Sequence, residues 1–321
     1  MKWTTFKKTQ QAGYLFIVLG VLNWSGNFVA ARGMAGQIEP STLNLIRWGL
    51  AALLFMPFGW RTFWRERAQV KRFWKELCII ALCGVSLYDT LVFLAGQTCE
   101  ALNMSLLSTL SPLLTALLCQ WLYKEKLQAR MYFGIGISTL GIALLVTDGD
   151  LTRLLTLHFA KGDLIILATA LMSAIYNIVV KKAADSISQA TLFMACSLFG
   201  TLFIVPIYLF QTGGQLVLPV FTPAIVWTLL YLSIFASILC YLFWNMAVEV
   251  LGAPKTALFY YTLPPISAIV AWFTIREPVT GNQIFSGLII LIGILFALYG
   301  IPTHKKRPML PPKKQPAGNF S

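Results

Sequence analysis

Two charged side chains fall inside apolar stretches of the sequence that are long enough to cross a bilayer. Arg47 lies about 9 Å from one end of its stretch, and Asp89 lies about 13 Å from the corresponding end of the next, at about 1.5 Å per residue. A charge in hydrocarbon costs at least about 2.5 kcal/mol, so such residues face an aqueous cavity or a partner. The two depths allow an ion pair, and they also make both residues candidates for binding a charged solute.

The role of each charge stays open at this point. Asp89 has three interpretations: an ion pair with Arg47, a proton carrier, or a ligand for a solute ammonium group. Arg47 either binds a solute carboxylate or Asp89, or it extends its long side chain to the membrane surface. Protons are therefore a candidate partner.

Aromatic and amide side chains within the apolar stretches form the second group of candidates. Trp and Tyr at the ends of membrane helices anchor to the interface, whereas those near the centre hydrogen-bond inside the bundle or toward a cavity. An aromatic pocket with few fixed charges suits a small amphipathic solute. We predict a solute pocket that is lined by Trp24, Tyr88, Tyr176, Tyr241 and Trp244, with hydrogen-bonding groups from Asn27, Asn177 and Asn245.

Composition places these residues in a membrane protein. Hydrophobic residues make up 57% of the 321 residues and charged residues 12%, and the mean hydropathy is +0.72. A soluble domain normally carries about 25% charged residues. The formal net charge of +13 comes mostly from Lys and Arg in the connections between apolar stretches, where they set orientation and contact anionic lipid. We expect membrane lipid as a partner and no nucleic acid.

Catalytic and metal sites are not expected. His158 and His304 lie in a connection and in the C-terminal tail, and the six cysteines form no CxxC pair. A membrane-embedded enzyme would need a nucleophile and a base, or a metal set, within the bundle. One lone aspartate supplies neither. We therefore predict no catalytic residue, no metal and no cofactor.

Ten apolar stretches of spanning length cover most of the chain. They are predicted at 14–33, 41–60, 77–98, 101–122, 131–147, 162–180, 189–210, 224–246, 253–274 and 281–300. Three landmarks of the first half recur at one offset of 152 residues: Pro112 and Pro264, Glu125 and Glu277, and Gly141 and Gly293. Because each half holds five spans, the second half must enter the bilayer upside down, which is the inverted-repeat plan of a secondary transporter.

Charge counts in alternate connections predict the orientation. With the N-terminus in the cytoplasm, 20 of the 25 Lys and Arg lie on the cytoplasmic side and 4 on the other. Both termini are therefore placed in the cytoplasm. The basic loop 61–76 is expected to form a short helix on the inner surface, and the Pro- and Lys-rich tail 301–321 is expected to be disordered.

Prolines and small residues suggest where helices bend and pack. Pro112, Pro264 and Pro265 are predicted to kink the fourth and ninth spans and to act in gating. Glu125 and Glu277 are expected to cap the helix that follows each of them or to pair locally. Small residues predict close approach of the fifth and tenth spans or of a partner protomer, which leaves a homodimer open: Gly134, Gly136, Ser138, Gly141, Ser286, Gly287 and Gly293.

With these residues in view, the chain resembles the drug/metabolite transporter superfamily, specifically its EamA-type ten-helix transporters. The resemblance covers residues 10–300 and rests on NWSGNFVAARG with Arg47 after it, on SLYDTLVFLAGQTCEALNMSLLSTLSPLLTALL, and on the repeated Pro, Glu and Gly pattern. It implies ten helices around a central cavity and, in many members, export of amino acids or related metabolites. Other members move sugars or nucleotide sugars.

The sequence thus predicts an all-α membrane protein with ten transmembrane helices, arranged as two inverted five-helix repeats around a central cavity. The repeats are 1–147 and 162–300, joined by an extracytoplasmic linker at 148–161. The predicted function is export of a small metabolite from the cytoplasm across the inner membrane by alternating access, with an amino acid or related amphipathic compound as the solute. A sugar or nucleotide-sugar exchanger is the alternative within transport, and a membrane-embedded enzyme or scaffold is the alternative of another class.

Overall fold

The computed structural model describes residues 9–123, 129–150, 161–184, 186–251 and 259–299. Every regular element in these ranges is helical, and they contain no strand. Apolar stretches of this length fold as helices because lipid offers no partner for backbone N–H and C=O groups. The Glu125 turn, most of the predicted linker and the tail 301–321 lie outside the described residues.

Twelve helices occupy the described ranges. In chain order they are α1 (Gln10–Gly33), α2 (Pro40–Arg65), α3 (Arg67–Arg72), α4 (Trp74–Ala95), α5 (Ala101–Ser108), α6 (Ser111–Tyr123), α7 (Ala129–Val146), α8 (Lys161–Ala184), α9 (Gln189–Gln211), α10 (the continuous rod of Pro223–Leu230, Tyr231–Leu239 and Cys240–Leu251), α11 (Leu263–Thr274) and α12 (Gly281–Tyr299). The basic loop 61–76 contains α3, which buries Val70 and exposes Arg67 and Lys71.

Seven stretches are long and apolar enough to cross a membrane: α1, α2, α4, the α5–α6 pair, α8, α9 and α10. The apolar parts of α7 and α12 are shorter, at Tyr132–Leu145 and Gly281–Ala297. The described part of the ninth predicted span consists of the 3₁₀ turn Phe259–Thr262 and α11, which has 12 residues. The all-helical membrane class is therefore confirmed, and the count of ten spans stays a prediction.

Helices of the first half pack against helices of the second. The pairs are α1 with α10, α2 with α9, α4 with α8, α5 with α11, and α7 with α12. Each predicted span has a counterpart at the equivalent position of the other half, about 152 residues away in the sequence. Exchanging every span for its counterpart gives the same set of pairs. The packing therefore follows the repeat seen in the sequence.

The α7–α12 pair repeats its contacts at the offset of 152 residues. A Cβ on Gly141 would lie 2.8 Å from the Ile290 backbone nitrogen, and a Cβ on Gly293 would lie 2.5 Å from the Ser138 backbone nitrogen. Ser138 also donates a hydrogen bond to the Ile290 carbonyl at 3.2 Å. Residue numbers rise along one helix as they fall along the other, so the two helices are antiparallel. Within the described residues nothing lies within 4 Å of a Cβ on Gly136, so its predicted place in this interface is wrong.

Two helices carry π-helical segments at matching positions. One covers Leu82–Ser86 in α4 and the other covers Tyr231–Leu239 in α10. Adding 152 to the first segment gives 234–238, which lies inside the second. A π-helical turn widens the backbone and leaves groups free to bond elsewhere, and such turns often occur at functional sites.

Candidate functional site

The two charges predicted to lie inside the bundle meet in a buried ion pair. Arg47 of α2 places Nη1 3.0 Å from Oδ1 of Asp89 in α4, and their side chains are only 3% and 4% exposed. Arg47 therefore does not extend to the membrane surface. A buried pair of opposite charges is tolerated when the remaining donors and acceptors are also satisfied.

Neighbouring side chains satisfy those remaining groups. Arg47 donates from Nη1 to Asn27 Oδ1 at 2.9 Å and from Nε to Ser237 Oγ at 3.0 Å. The Trp48 indole donates from Nε1 to Asp89 Oδ2 at 2.8 Å. The guanidinium also lies over the Trp48 ring at 5.3 Å. Asn27 lies in α1 and Ser237 in α10, so the cluster joins both halves of the chain.

The π-helical segments explain how α2 holds these partners. Asn44 Nδ2 donates to the Ser86 carbonyl at 3.1 Å and to Thr90 Oγ1 at 2.8 Å, both in or next to the π-helical segment of α4. Ser233 Oγ, in the π-helical segment of α10, donates to the Arg47 carbonyl at 3.0 Å. One face of α2 therefore bonds to both widened turns and sets the position of the ion pair between them.

One group of predicted aromatic residues packs beside Asn27. Trp24 of α1 lies 4.8 Å from Trp244 and 6.1 Å from Tyr260, measured between ring centroids. The hydroxyl groups of Tyr88 and Tyr260 are neighbours. Tyr88 directly precedes Asp89, so this group adjoins the ion pair from the side of α1 and α4.

A second group lies on the other side of Trp48. Phe193 of α9 contacts Trp48 at 6.1 Å and Tyr241 at 5.1 Å between ring centroids. The Tyr241 hydroxyl donates to Gln189 Oε1 at 3.0 Å. Tyr176 packs on Gly84, where a Cβ would lie 2.4 Å from the ring.

The predicted asparagines occupy three different environments. Asn27 is buried in the ion-pair cluster, and the Asn245 amide lies beside the Tyr241 hydroxyl. Asn177 is exposed, and it lies more than about 100° around α8 from the exposed residues Leu164 and Leu171. It therefore opens on a different face of α8 from the apolar surface residues.

The predicted prolines mark breaks in the helical rods. A turn at Thr109 and Leu110 separates α5 from α6, and Pro112 follows in the first turn of α6. Pro264 and Pro265 lie in the first turn of α11, directly after the 3₁₀ turn Phe259–Thr262. The first turn tolerates proline because its N–H groups have no partner within the helix.

Glu277 makes contacts that differ from the predicted ones. It accepts a hydrogen bond from Arg32 Nε at 3.2 Å and another from the Ala101 backbone N–H at 3.0 Å. It therefore caps α5 of the first half, not α12, which follows it. Burial raises the pKa of Glu277, and the Ala101 N–H and Arg32 oppose this increase.

Further polar groups surround Glu277, and we call this side of the molecule the Arg32 end. Gln283 donates to Asn103 Oδ1 at 2.9 Å and also bonds to Glu100.

Glu66 lies at the opposite side of the molecule, which we call the Glu66 end, and accepts a hydrogen bond from the Ser188 backbone N–H at 3.0 Å. Burial raises the pKa of Glu66, but the hydrogen bonds from Ser188 and Thr191 outweigh this effect, and the pKa is lowered.

Sequence reasoning missed several residues of the cluster. Asn44, Trp48, Ser233 and Ser237 supply most of its hydrogen bonds, but none was singled out. Asn44 and Trp48 are polar or amphipathic residues within one turn of Arg47, and that spacing is the signal that could have identified them.

Comparison with known proteins agrees with this architecture. The sequence profile of the EamA-like transporter family matches residues 11–147 and 160–299. An uncharacterized transporter from Archaeoglobus fulgidus is 29% identical over 88% of this chain and 95% of its own length. A protein of Streptantibioticus cattleyicolor described as a "probable terminal-alkyne amino-acid exporter" is 24% identical over 87% of this chain and 91% of its own. A crystal structure with 19% identity has a TM-score of 0.60 and covers 91% of this chain and 99% of that one, so it shares the fold.

Proposed function

This chain belongs to the EamA-like transporter family and is a multi-pass membrane transporter, not an enzyme, and from that premise we propose that it exports a small zwitterionic metabolite, an amino acid or a close relative. The observation that carries the proposal is the buried Arg47–Asp89 pair. It offers one charge of each sign inside a bundle that is otherwise aromatic and amide-lined.

A zwitterion can exchange partners with such a pair. A solute carboxylate would bind the Arg47 guanidinium in the bidentate geometry that arginine favours, and a solute ammonium group would bind the Asp89 carboxylate. Each charge of the protein pair then faces an opposite charge on the solute, so no uncompensated charge is left in the bundle. A phosphorylated solute would need several bases, and Arg47 is the one that the described site provides.

The aromatic groups on both sides of the pair suit the rest of an amphipathic solute. Trp24, Tyr88 and Trp244 lie on one side, and Tyr176 and Tyr241 lie on the other. Asn27, Asn177 and Asn245 add hydrogen-bonding groups. The relative from Streptantibioticus cattleyicolor, whose name describes an amino-acid exporter, supports this solute class.

Alternating access between two inverted repeats is the proposed mechanism. The antiparallel α7–α12 contacts, which recur at the offset of 152 residues, support the inverted arrangement of 1–147 and 162–300. The proposal includes ten spans and a central cavity between the halves, with Pro112, Pro264 and Pro265 at the bends that move. The charge bias supports two cytoplasmic termini, an extracytoplasmic linker at 148–161 and residence in the inner membrane. The proposal also includes coupling to protons and assembly as a homodimer.

Counterflow in liposomes tests the proposal. Purified protein is reconstituted with a mixture of unlabelled amino acids inside, and uptake of labelled amino acids is measured one at a time; a nucleotide sugar is tested in parallel. We expect uptake of at least one amino acid and none of the nucleotide sugar. Asp89→Asn should abolish that uptake, whereas the same change at the exposed Asp148 should leave it intact. Uptake of the nucleotide sugar alone would refute the solute class.

A further inference from the structure

A second cluster of charged and polar residues lies at the Arg32 end, away from the ion pair. We propose that Arg32, Glu277 and the Ala101 N–H form a latch that closes the outer end of the solute path. This inference rests on the proposed function, because the orientation proposed there makes the Arg32 end the outer end. The latch adds gating residues to those suggested by the prolines.

The latch ties three chain segments from both halves together. Arg32 ends α1, Ala101 begins α5, and Glu277 lies in the turn between α11 and α12. Glu277 uses both carboxylate oxygens, Oε1 for Arg32 Nε at 3.2 Å and Oε2 for the Ala101 N–H at 3.0 Å. Its side chain is only 11% exposed, compared with 35% for that of Arg32. A carboxylate at the N-terminus of a helix is favourable, and its hydrogen bonds are charge-assisted.

Other contacts at this end tie further segments to Arg32 and to α5. Arg32 Nη1 also donates to the Gly96 carbonyl at 3.3 Å. A Cβ on Gly96 would lie 2.6 Å from the Ala31 carbonyl oxygen, so the two backbones touch. The hydrogen bond from Gln283 to Asn103 adds a further tie between α12 and α5.

The Glu66 end is tied less closely within the described residues. Glu66 is bonded there to Ser188 and Thr191 at the start of α9. Asn177 and Gln189, which belong to the half of the bundle nearer this end, are exposed. The ties at the Arg32 end indicate a conformation that is closed on the outer side.

Opening the outer end requires the latch to separate, because α5 cannot move away from the α11–α12 turn while Glu277 caps it. Removing the Glu277 charge weakens the closed state alone, since the ion pair exists only there. A change that weakens one of two conformations shifts the population toward the other. Glu277→Gln keeps the size of the side chain and loses the ion pair.

Cys99 is a native reporter for this separation. Cys99 lies two residues before Ala101 and is 2% exposed, and its thiol donates to Asp163 Oδ1 at 3.0 Å. Burial and the adjacent Asp163 raise the pKa of the Cys99 thiol. Reagents that attack the thiolate should therefore react slowly while the latch is closed and faster once water reaches the thiol.

The test uses a membrane-impermeant maleimide on intact cells that express the full chain, with Cys99 labelling read by peptide mass spectrometry. We expect Glu277→Gln and Arg32→Gln to label at least about tenfold faster than the wild type. Arg32→Lys keeps the charge and should label near the wild-type rate. Glu39→Gln removes a carboxylate from the exposed start of α2 at the same end, where its side chain makes no cap hydrogen bond, and should change nothing.

Arg32→Gln leaves the Glu277 cap on α5 intact, so it tests the latch even if Glu277→Gln does not fold. Unchanged Cys99 labelling in the folded variants would overturn the latch. Labelling that rises equally in Glu39→Gln would overturn it as well. The labelling needs no transported solute, so a latch that opens as expected while no amino acid is carried would reject the proposed function alone. Labelling that rises only when the reagent is added outside inverted vesicles, where it reaches the cytoplasmic face, would reject the outer assignment of the latch.

Discussion

Removing one charge of the buried pair should destabilise the protein far more than removing both. In Asp89→Asn the Arg47 guanidinium, which is buried, keeps Asn27 and Ser237 but loses its counter-charge. Breaking a buried pair from one side costs about 3–5 kcal/mol. For a protein of this size the melting temperature should fall by an amount on the order of 10 °C.

The double variant Arg47→Met with Asp89→Leu removes both charges and keeps similar volumes. It still leaves the Trp48 indole N–H without its acceptor, and Asn27 Oδ1 and Ser237 Oγ without their donor. Each unmade buried hydrogen bond costs about 1–3 kcal/mol, but the single variants lose the same bonds and also leave an unpaired charge. The single variants Arg47→Met and Asp89→Leu should together cost about 6–10 kcal/mol, so the double variant should lose less stability than the sum of these two.

Thermal unfolding of the purified protein in detergent, followed by tryptophan fluorescence, measures all three variants. The exposed Asp148→Asn serves as the control for the chemical change itself. Single variants that cost less than about 1 kcal/mol would refute the reasoning, because such a pair would be solvated. A double variant equal to the sum of the singles would refute it too.

Three further predictions follow from the packing and the ends of the bundle. Gly293→Ala should lower the melting temperature because its Cβ would meet backbone in α7, whereas Gly136→Ala, with open space in the described structure, should keep or raise it. Asn44→Leu should cost about 1–3 kcal/mol, since two carbonyls and Thr90 lose a donor, and thermal unfolding measures the loss. The lowered pKa of Glu66 adds stability to the folded protein at pH values above the ordinary pKa of a glutamate, and this stability is lost as the pH falls through the folded-state pKa. The free energy of unfolding should therefore change more between about pH 6 and pH 3 in the wild type than in Glu66→Gln.

The matching depths of Arg47 and Asp89 made an ion pair one of three interpretations of Asp89 from the sequence, and the structure shows that pair. The spacing of apolar residues in α4 and α10 does not reveal their π-helical segments, because a single widened turn hardly changes the helical period. The roles of Ser233 and Ser237 therefore follow only from the fold.

Glu277 illustrates a second limit of the sequence. Its local neighbours suggested a cap for the next helix, but its partners Arg32 and Ala101 lie 245 and 176 residues away in the chain. Local capping rules see only adjacent residues. The wrong placement of Gly136 has a similar origin: a cluster of small residues predicts that two helices approach closely, but not which of the residues face each other.

Recognition of a zwitterion by Arg47 and Asp89 is the central claim. The most direct measurement is competition in counterflow between the transported amino acid and two analogues, one without the carboxylate and one without the ammonium group. In the wild type both analogues should compete far less well than the amino acid. Arg47→Gln should remove the preference for the carboxylate. Asp89→Asn is not expected to transport, so its binding of the same compounds is measured instead, and it should lose the preference for the ammonium group. Analogues that compete as well as the amino acid, or preferences that survive both substitutions, would contradict the account.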